Sequence, residues 1–213
     1  MAWLRPGFKA VYGKIRALES AQSLARANNA SSIGGEGFYE CLSLYRSLLT
    51  DFPEIVVEKS IDTLLWRSCF HTKIEAARKE IKALTLCLEE KYGVRGGGVA
   101  KNYSKSEERL VQVCSALQVF LSQALSFYQN LITTFDEKGG NIEYDTSYVK
   151  RQQYLCLLYM GDVARYTELH ADSSKHKDWT TAVRYYNRAR YAMPDSGNPH
   201  NQVRYTQSST QLY

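Results

Sequence analysis

The chain has 213 residues, enough to bury one substantial core or two small ones in contact. Its apolar fraction of 44% and charged fraction of 23% are those of a globular chain and exclude a disordered or fibrous one. The net charge of +5 suits anionic partners, and no long basic block demands nucleic acid.

Five cysteines, Cys41, Cys69, Cys87, Cys114 and Cys156, are odd in number and scattered, with no C-x-x-C pair. That pattern fits buried thiols in a reducing intracellular compartment, cytoplasmic with nuclear access allowed. No segment reads as having the apolar length of a membrane span. The N-terminus, "MAWLRPGFKAVYGKIRALE", mixes charges into its apolar residues and lacks a signal-peptide core. Glu19 and the helical pattern after it favour a first structural helix over a transit peptide.

Helix signals dominate and strand signals are almost absent. The first helix is expected from about Pro6 to Ala27, ended by "NNASSIGGEG". A short second one, "FYECLSLYRSLLTDF", is closed by Pro53. A long third helix reads from near Pro53 to Tyr92, where Phe70, Ile74, Ala77, Ile81, Leu84 and Leu88 recur at alternating steps of four and three. "GVRGGGVAKNYS" reads as a glycine-rich loop; no strand precedes it and no G-K-[ST] follows, so it is no phosphate cradle. A fourth helix carries Leu110, Val113, Leu117, Phe120, Ala124, Tyr128, Leu131 and Phe135 at the same spacing, and "DEKGGNIEYD" breaks it. A fifth runs from about Thr146 to Ala171, "DSSKHKD" follows as a polar loop, and a sixth spans about Trp179 to Met193. The expected architecture is all-α, with the third, fourth and fifth helices antiparallel and Phe70, Ile74, Leu117, Phe120 and Leu155 in one core.

The last two helices carry a finer pattern. Ala182, Tyr186, Ala189 and Pro194 have the spacing of the second half of a tetratricopeptide repeat, and Leu157, Met160 and Gly161 fit the first half. One such unit cannot bury its apolar face alone, so it must pack on the long helices before it. Within it, "YMGDVARYTELH" places Arg165 beside Tyr166 in an apolar helix. A buried guanidinium needs a partner. Asp162 on the turn before, a buried acid elsewhere, or an anion brought by a partner all satisfy it.

Three linked elements, G-D-x-A-R-Y, A-x-x-Y-Y-x-x-A and P-x-x-G-x-P-x-N-Q, lie in "YLCLLYMGDVARYTELH" and "AVRYYNRARYAMPDSGNPHNQ". Together they resemble the N-terminal domain of the SMG family of nonsense-mediated mRNA decay adaptors, which also includes the telomerase-activating Est proteins. A weaker echo lies in "TLLWRSCFHTKIE", where Leu65, Trp66 and Phe70 match the family's third helix. The resemblance covers nearly all of the chain to Gln202, most strongly from Tyr154. It implies a 14-3-3-like helical domain over residues 1–202, continued by tetratricopeptide-like helices. It also implies an adaptor that binds a phosphoserine motif on an up-frameshift-type RNA helicase, and a heterodimer with another SMG-family adaptor.

By the same resemblance, Arg165 and Tyr166 hold the phosphate. A guanidinium can donate two parallel hydrogen bonds to a phosphoryl group, and a phenol adds a third. A phosphate with nearly two charges calls for a second cation. Anchored on Trp66 and Phe70, the matching position is His71, where the phosphate-binding adaptors carry lysine. On an α-helix Arg67 and Arg78 fall within about 40° of His71, whereas Lys73 falls roughly 160° away. Arg67 is the expected substitute.

Other chemistry finds no pattern. The histidines, His71, His170, His176 and His200, complete no metal-ligand spacing with cysteine or carboxylate. No G-x-S-x-G or H-E-x-x-H occurs, and the nuclease domain of one family branch has no counterpart, so no enzyme, catalytic residue, metal or cofactor is expected. A telomerase-associated Est-type protein contacting nucleic acid is the alternative, and a tetratricopeptide scaffold for unmodified peptides a third. After Gln202 the family's Leu-Ala-x-Leu-Ala is replaced by "VRYTQSSTQLY", so residues 203–213 are expected to form a divergent, poorly ordered tail.

Overall fold

The structure, a computed structural model, describes residues 6–27, 36–93, 100–139, 145–171, 177–197, 199 and 202–203. Its helices are α1 (Pro6–Ala27), α2 (Glu36–Asp51), α3 (Pro53–Lys59), α4 (Ile61–Leu65), α5 (Thr72–Gly93), α6 (Ala100–Gly139), α7 (Thr146–Leu169) and α8 (Thr180–Ala192). A π-helical turn, Trp66–His71, joins α4 to α5. No strand occurs among the described residues, and the fold is all-α.

Residue pairs give the helix directions. Glu80 of α5 meets Arg109 of α6, while Phe70 before α5 meets Phe120 and Phe127 further along α6, so these helices are antiparallel. Gln118 and Phe135 of α6 meet Thr167 and Tyr148 of α7 in reversed order. Tyr186 of α8 packs at Gly161 of α7, and Tyr154 reaches back to Ser196. Phe70, Ile74, Leu117 and Phe120 share one buried cluster, with Leu155 packed against it, as the four-and-three spacing predicts. A second cluster, centred on Tyr154, Leu157, Leu158, Ala182, Tyr186 and Ala189, seals α7 to α8.

The long third helix expected from Pro53 is in fact several pieces. Pro53 opens α3 as a first-turn proline, which needs no N–H there. Ser60 then adopts a left-handed conformation, φ 51°, and closes α3 through its backbone N–H. The kink lets Ile55 and Val56 before it, and Ile61 and Leu65 after it, all bury. The π turn follows, with the Thr72 hydroxyl donating to the Arg67 carbonyl at 2.7 Å. Through it Trp66, Cys69 and Phe70 are all buried, and Trp66 stacks on Tyr159 of α7 at 4.7 Å.

Other boundaries shift less. Gly93 and Ala100–Ser104, read as loop, are helical, and α6 persists to Gly139. The rest of the glycine-rich loop and most of "DSSKHKD" lie outside the described residues. Val203, assigned to the tail, is helical and packs on the α7–α8 cluster; residues 204–213 lie outside the described residues.

The membrane expectation needs a correction. The part of α6 between Lys105 and Glu137 has a stretch of mean hydropathy 1.5, long and apolar enough to cross a bilayer by those measures alone. No charged residue stands between Leu110 and Phe135; glutamine, serine, asparagine and threonine fill the polar positions, and the apolar residues outnumber them. Here one side of that helix is core: Val113, Leu117, Phe120, Leu121, Ala124, Tyr128, Leu131 and Phe135 are buried.

Candidate functional site

The middle of α7 lies between α6 and α8, so an unbroken run from Cys156 to Gly161 is buried. Gly161 is where α8 comes closest. A Cβ there would stand 3.0 Å from Cζ of Tyr186 and closer still to two other ring carbons. With the ring laid on the helix, the Tyr186 hydroxyl donates to Asp162 Oδ1 at 2.8 Å. The glycine of G-D-x-A-R-Y thereby positions its aspartate.

Asp162 in turn faces Arg165, with 3.6 Å between Oδ1 and Nη2. This is a long contact, and the Arg165 Nε is buried with no hydrogen-bond partner. Burial pushes the Asp162 carboxyl above its usual range, even with Tyr186 and Arg165 pulling the other way. Burial also opposes the Arg165 charge, but the Tyr186 hydroxyl and Asp162 outweigh it and keep the group firmly cationic. Among the three partners open in sequence, the structure supplies the local one. No acid from another helix pairs with Arg165 among the described residues.

Tyr166 is buried between two cations. The Arg165 guanidinium lies 4.5 Å from its ring centroid and that of Arg78, from α5, 5.1 Å. Its hydroxyl donates to Glu75 Oε1 at 3.4 Å, and Arg78 Nη1 holds the same oxygen at 2.5 Å. Burial works to raise the Glu75 carboxyl, but Arg78, His71 and Tyr166 outweigh it and hold it below the usual range. The Nε of Arg78 and Nε2 of His170 are also buried without partners.

The sequence-assigned residues divide. Arg165 and Tyr166 form the centre. His71 is half-buried beside Trp66, at 6.1 Å between rings, and within electrostatic reach of both Glu75 and Asp162. Arg67 is exposed, and no hydrogen bond or ion pair joins it to the cluster among the described residues. The 40° relation between Arg67 and His71 assumed a regular α-helix, and the chain between them is a π turn instead. Arg78 lies two α-turns beyond His71, past the irregularity, and keeps the expected side. Lys73 points elsewhere, its ammonium 3.8 Å from the Phe38 ring centroid and donating to Gln22. Of the two acids, Asp162 was among the partners the sequence offered for Arg165, whereas Glu75 was missed, although three residues before Arg78 is an ordinary helical ion-pair spacing.

The arrangement can receive an anion. Two guanidiniums and a phenol converge, and Glu75 and Asp162 are the acids an incoming anion would displace. The cluster is closely charge-balanced until that happens.

Comparisons with known proteins find a family model and several relatives that match parts of the chain. Residues 60–153 match the family model described as telomerase activating protein Est1. That span takes in the π turn, α5 and α6 but stops before Arg165. Together with the relatives below, it supports a likeness to the N-terminal domain of SMG/Est1-type proteins. An Arabidopsis thaliana protein named nonsense-mediated mRNA decay factor SMG7-like is 40% identical over 95 residues, covering 41% of this chain and 10% of its own. The Arabidopsis thaliana decay factor SMG7 is 25% identical over 180 residues, 75% of this chain and 16% of its own. The Danio rerio telomerase-binding protein EST1A is 20% identical over 215 residues, 90% of this chain and 12% of its own. The chain thus spans between 10% and 16% of the length of these relatives. None of the three names describes an enzyme.

Proposed function

We propose that this chain is a phosphoserine-dependent adaptor of nonsense-mediated mRNA decay that binds a phosphorylated up-frameshift-type RNA helicase. The observation that carries the reading is the bracketing of Tyr166 by Arg165 and Arg78, each with a buried, unpartnered Nε. A phosphoryl group entering here would take hydrogen bonds from both guanidiniums and from the Tyr166 hydroxyl, releasing Glu75 and Asp162. His71 would flank the group, and Arg67 would meet the peptide beyond the phosphate. The names of the Arabidopsis relatives support the decay setting. A heterodimer with another SMG-family adaptor, in a cytoplasmic and partly nuclear setting, belongs to the same reading.

The Est1 family match and the EST1A relative favour one alternative, a telomerase-associated protein that contacts nucleic acid. A pull-down from lysate with and without phosphatase treatment, repeated across a salt series, separates the two. The phosphoserine reading predicts capture of the helicase that phosphatase abolishes. Capture of nucleic acid that ignores phosphatase and falls steeply with salt, as counterions are released, would favour the alternative.

A further inference from the structure

Glu19 of α1, Cys41 of α2 and Cys69 of the π turn are far apart in sequence, and the fold brings them together. Each offers one ligand atom, and the three atoms lie within 4.8 Å of one another. The two sulfurs are 3.9 Å apart. Thiolates about 2.3 Å from a tetrahedral zinc ion stand about 3.8 Å from each other. Disulfide sulfurs stand only about 2.05 Å apart. The observed spacing is therefore close to that of two ligands sharing one ion.

The surroundings suit a ligand set. The Tyr45 hydroxyl donates to Glu19 Oε1 at 2.8 Å, fixing the carboxylate as an outer hydrogen bond fixes a ligating acid. Ser68 Oγ lies 3.3 Å from that hydroxyl and 3.8 Å from Cys69 Sγ. Both cysteines are buried, and Lys73 is within electrostatic reach of Cys41. We propose that Glu19, Cys41 and Cys69 bind one thiophilic divalent cation of the zinc class, tying α1 and α2 to the π turn. On binding, the two thiols release their protons to solvent and ligate as thiolates. Glu19 ligates as carboxylate, and a water completes four positions. No electron is transferred. Three anionic ligands around a doubly charged ion leave one net negative charge, within reach of Lys73.

Cobalt(II) titration of the whole, chelator-treated and reduced chain tests the site. The expected result is one cobalt per chain, with tetrahedral visible bands and a thiolate-to-metal charge-transfer band that zinc abolishes by displacement. Cys41→Ser and Cys69→Ser should each remove the charge-transfer band, Cys87→Ser should keep it, and Glu19→Gln should weaken binding at least about tenfold. If a serine variant fails to fold by circular dichroism, the parent chain decides alone: zinc should raise its melting temperature over chelator with one ion per chain. Absence of the band and of the shift in the reduced parent chain overturns the proposal and leaves an ordinary thiol pair. A band that survives Cys41→Ser, or a Cys41–Cys69 disulfide that excludes metal, overturns it equally.

Discussion

Arg165 answers to two neighbours of different kinds, a carboxylate at 3.6 Å and an adjacent aromatic face, while its Nε has no acceptor at all. A guanidinium installed purely for stability would take a bidentate carboxylate instead. His170 shows a related tension at the end of α7. Burial, then the charges of Arg78 and Lys177, push its imidazole below its ordinary value of 6.5, with Glu75 opposing. A histidine whose folded pKa is depressed binds its proton more readily unfolded, so stability is lost as pH falls through the unfolded value. The melting temperature should therefore decline below about pH 6.5, and His170→Gln should flatten that part of the curve. Identical slopes for the two proteins between pH 7.5 and 5.5 would remove His170 from this role. Arg165 and Tyr166 were legible because a linked motif marks them. Arg78 was placed on the right face by helical spacing but passed over for Arg67, and Glu75 was not singled out, because a charged pair three residues apart looks like any solvated helix face.

Among the elements, the regular helices were legible and the irregular ones were not. The seams of α5 and α6 repeat faithfully, and a repeated seam can be read without knowing the partner. The Ser60 kink and the π turn carry no glycine or proline to announce them. They exist because Ile55, Val56, Ile61, Leu65, Trp66 and Phe70 all find core, a tertiary requirement invisible to local spacing. Glycines give the test at this scale. Gly161→Ala drives a methyl group into the fully buried Tyr186 ring, and should cost about 1–3 kcal/mol and loosen α8. Gly13→Ala at an exposed position of α1, where the new Cβ meets nothing within 4 Å, should stabilise by about 0.5–1 kcal/mol. Denaturant unfolding measures both. A Gly161→Ala chain as stable as its parent would contradict the close approach of α7 and α8.

At the scale of the molecule, one aromatic hub holds the long helices together. Phe70 meets Phe38, Trp66, Phe120, Phe127 and Tyr128, so α2, the π turn and α6 share it. Phe70→Ala should cost about 3–5 kcal/mol, read from the denaturation midpoint. A loss below 1 kcal/mol would show that the hub relaxes freely around the gap. The hub also supports Trp66 and His71 beside the proposed anion site, so the core and the Arg165 cluster meet at the same turn. The central claim is that Arg165, with Arg78 across Tyr166, reads a phosphoserine. Calorimetry with one helicase-derived serine peptide, phosphorylated and not, tests it most directly. The same measurements with Arg165→Glu as control complete the design. The account predicts binding of the phosphorylated peptide alone, and a loss of about 2–5 kcal/mol with Arg165→Glu. Equal affinity for the two peptides would contradict it.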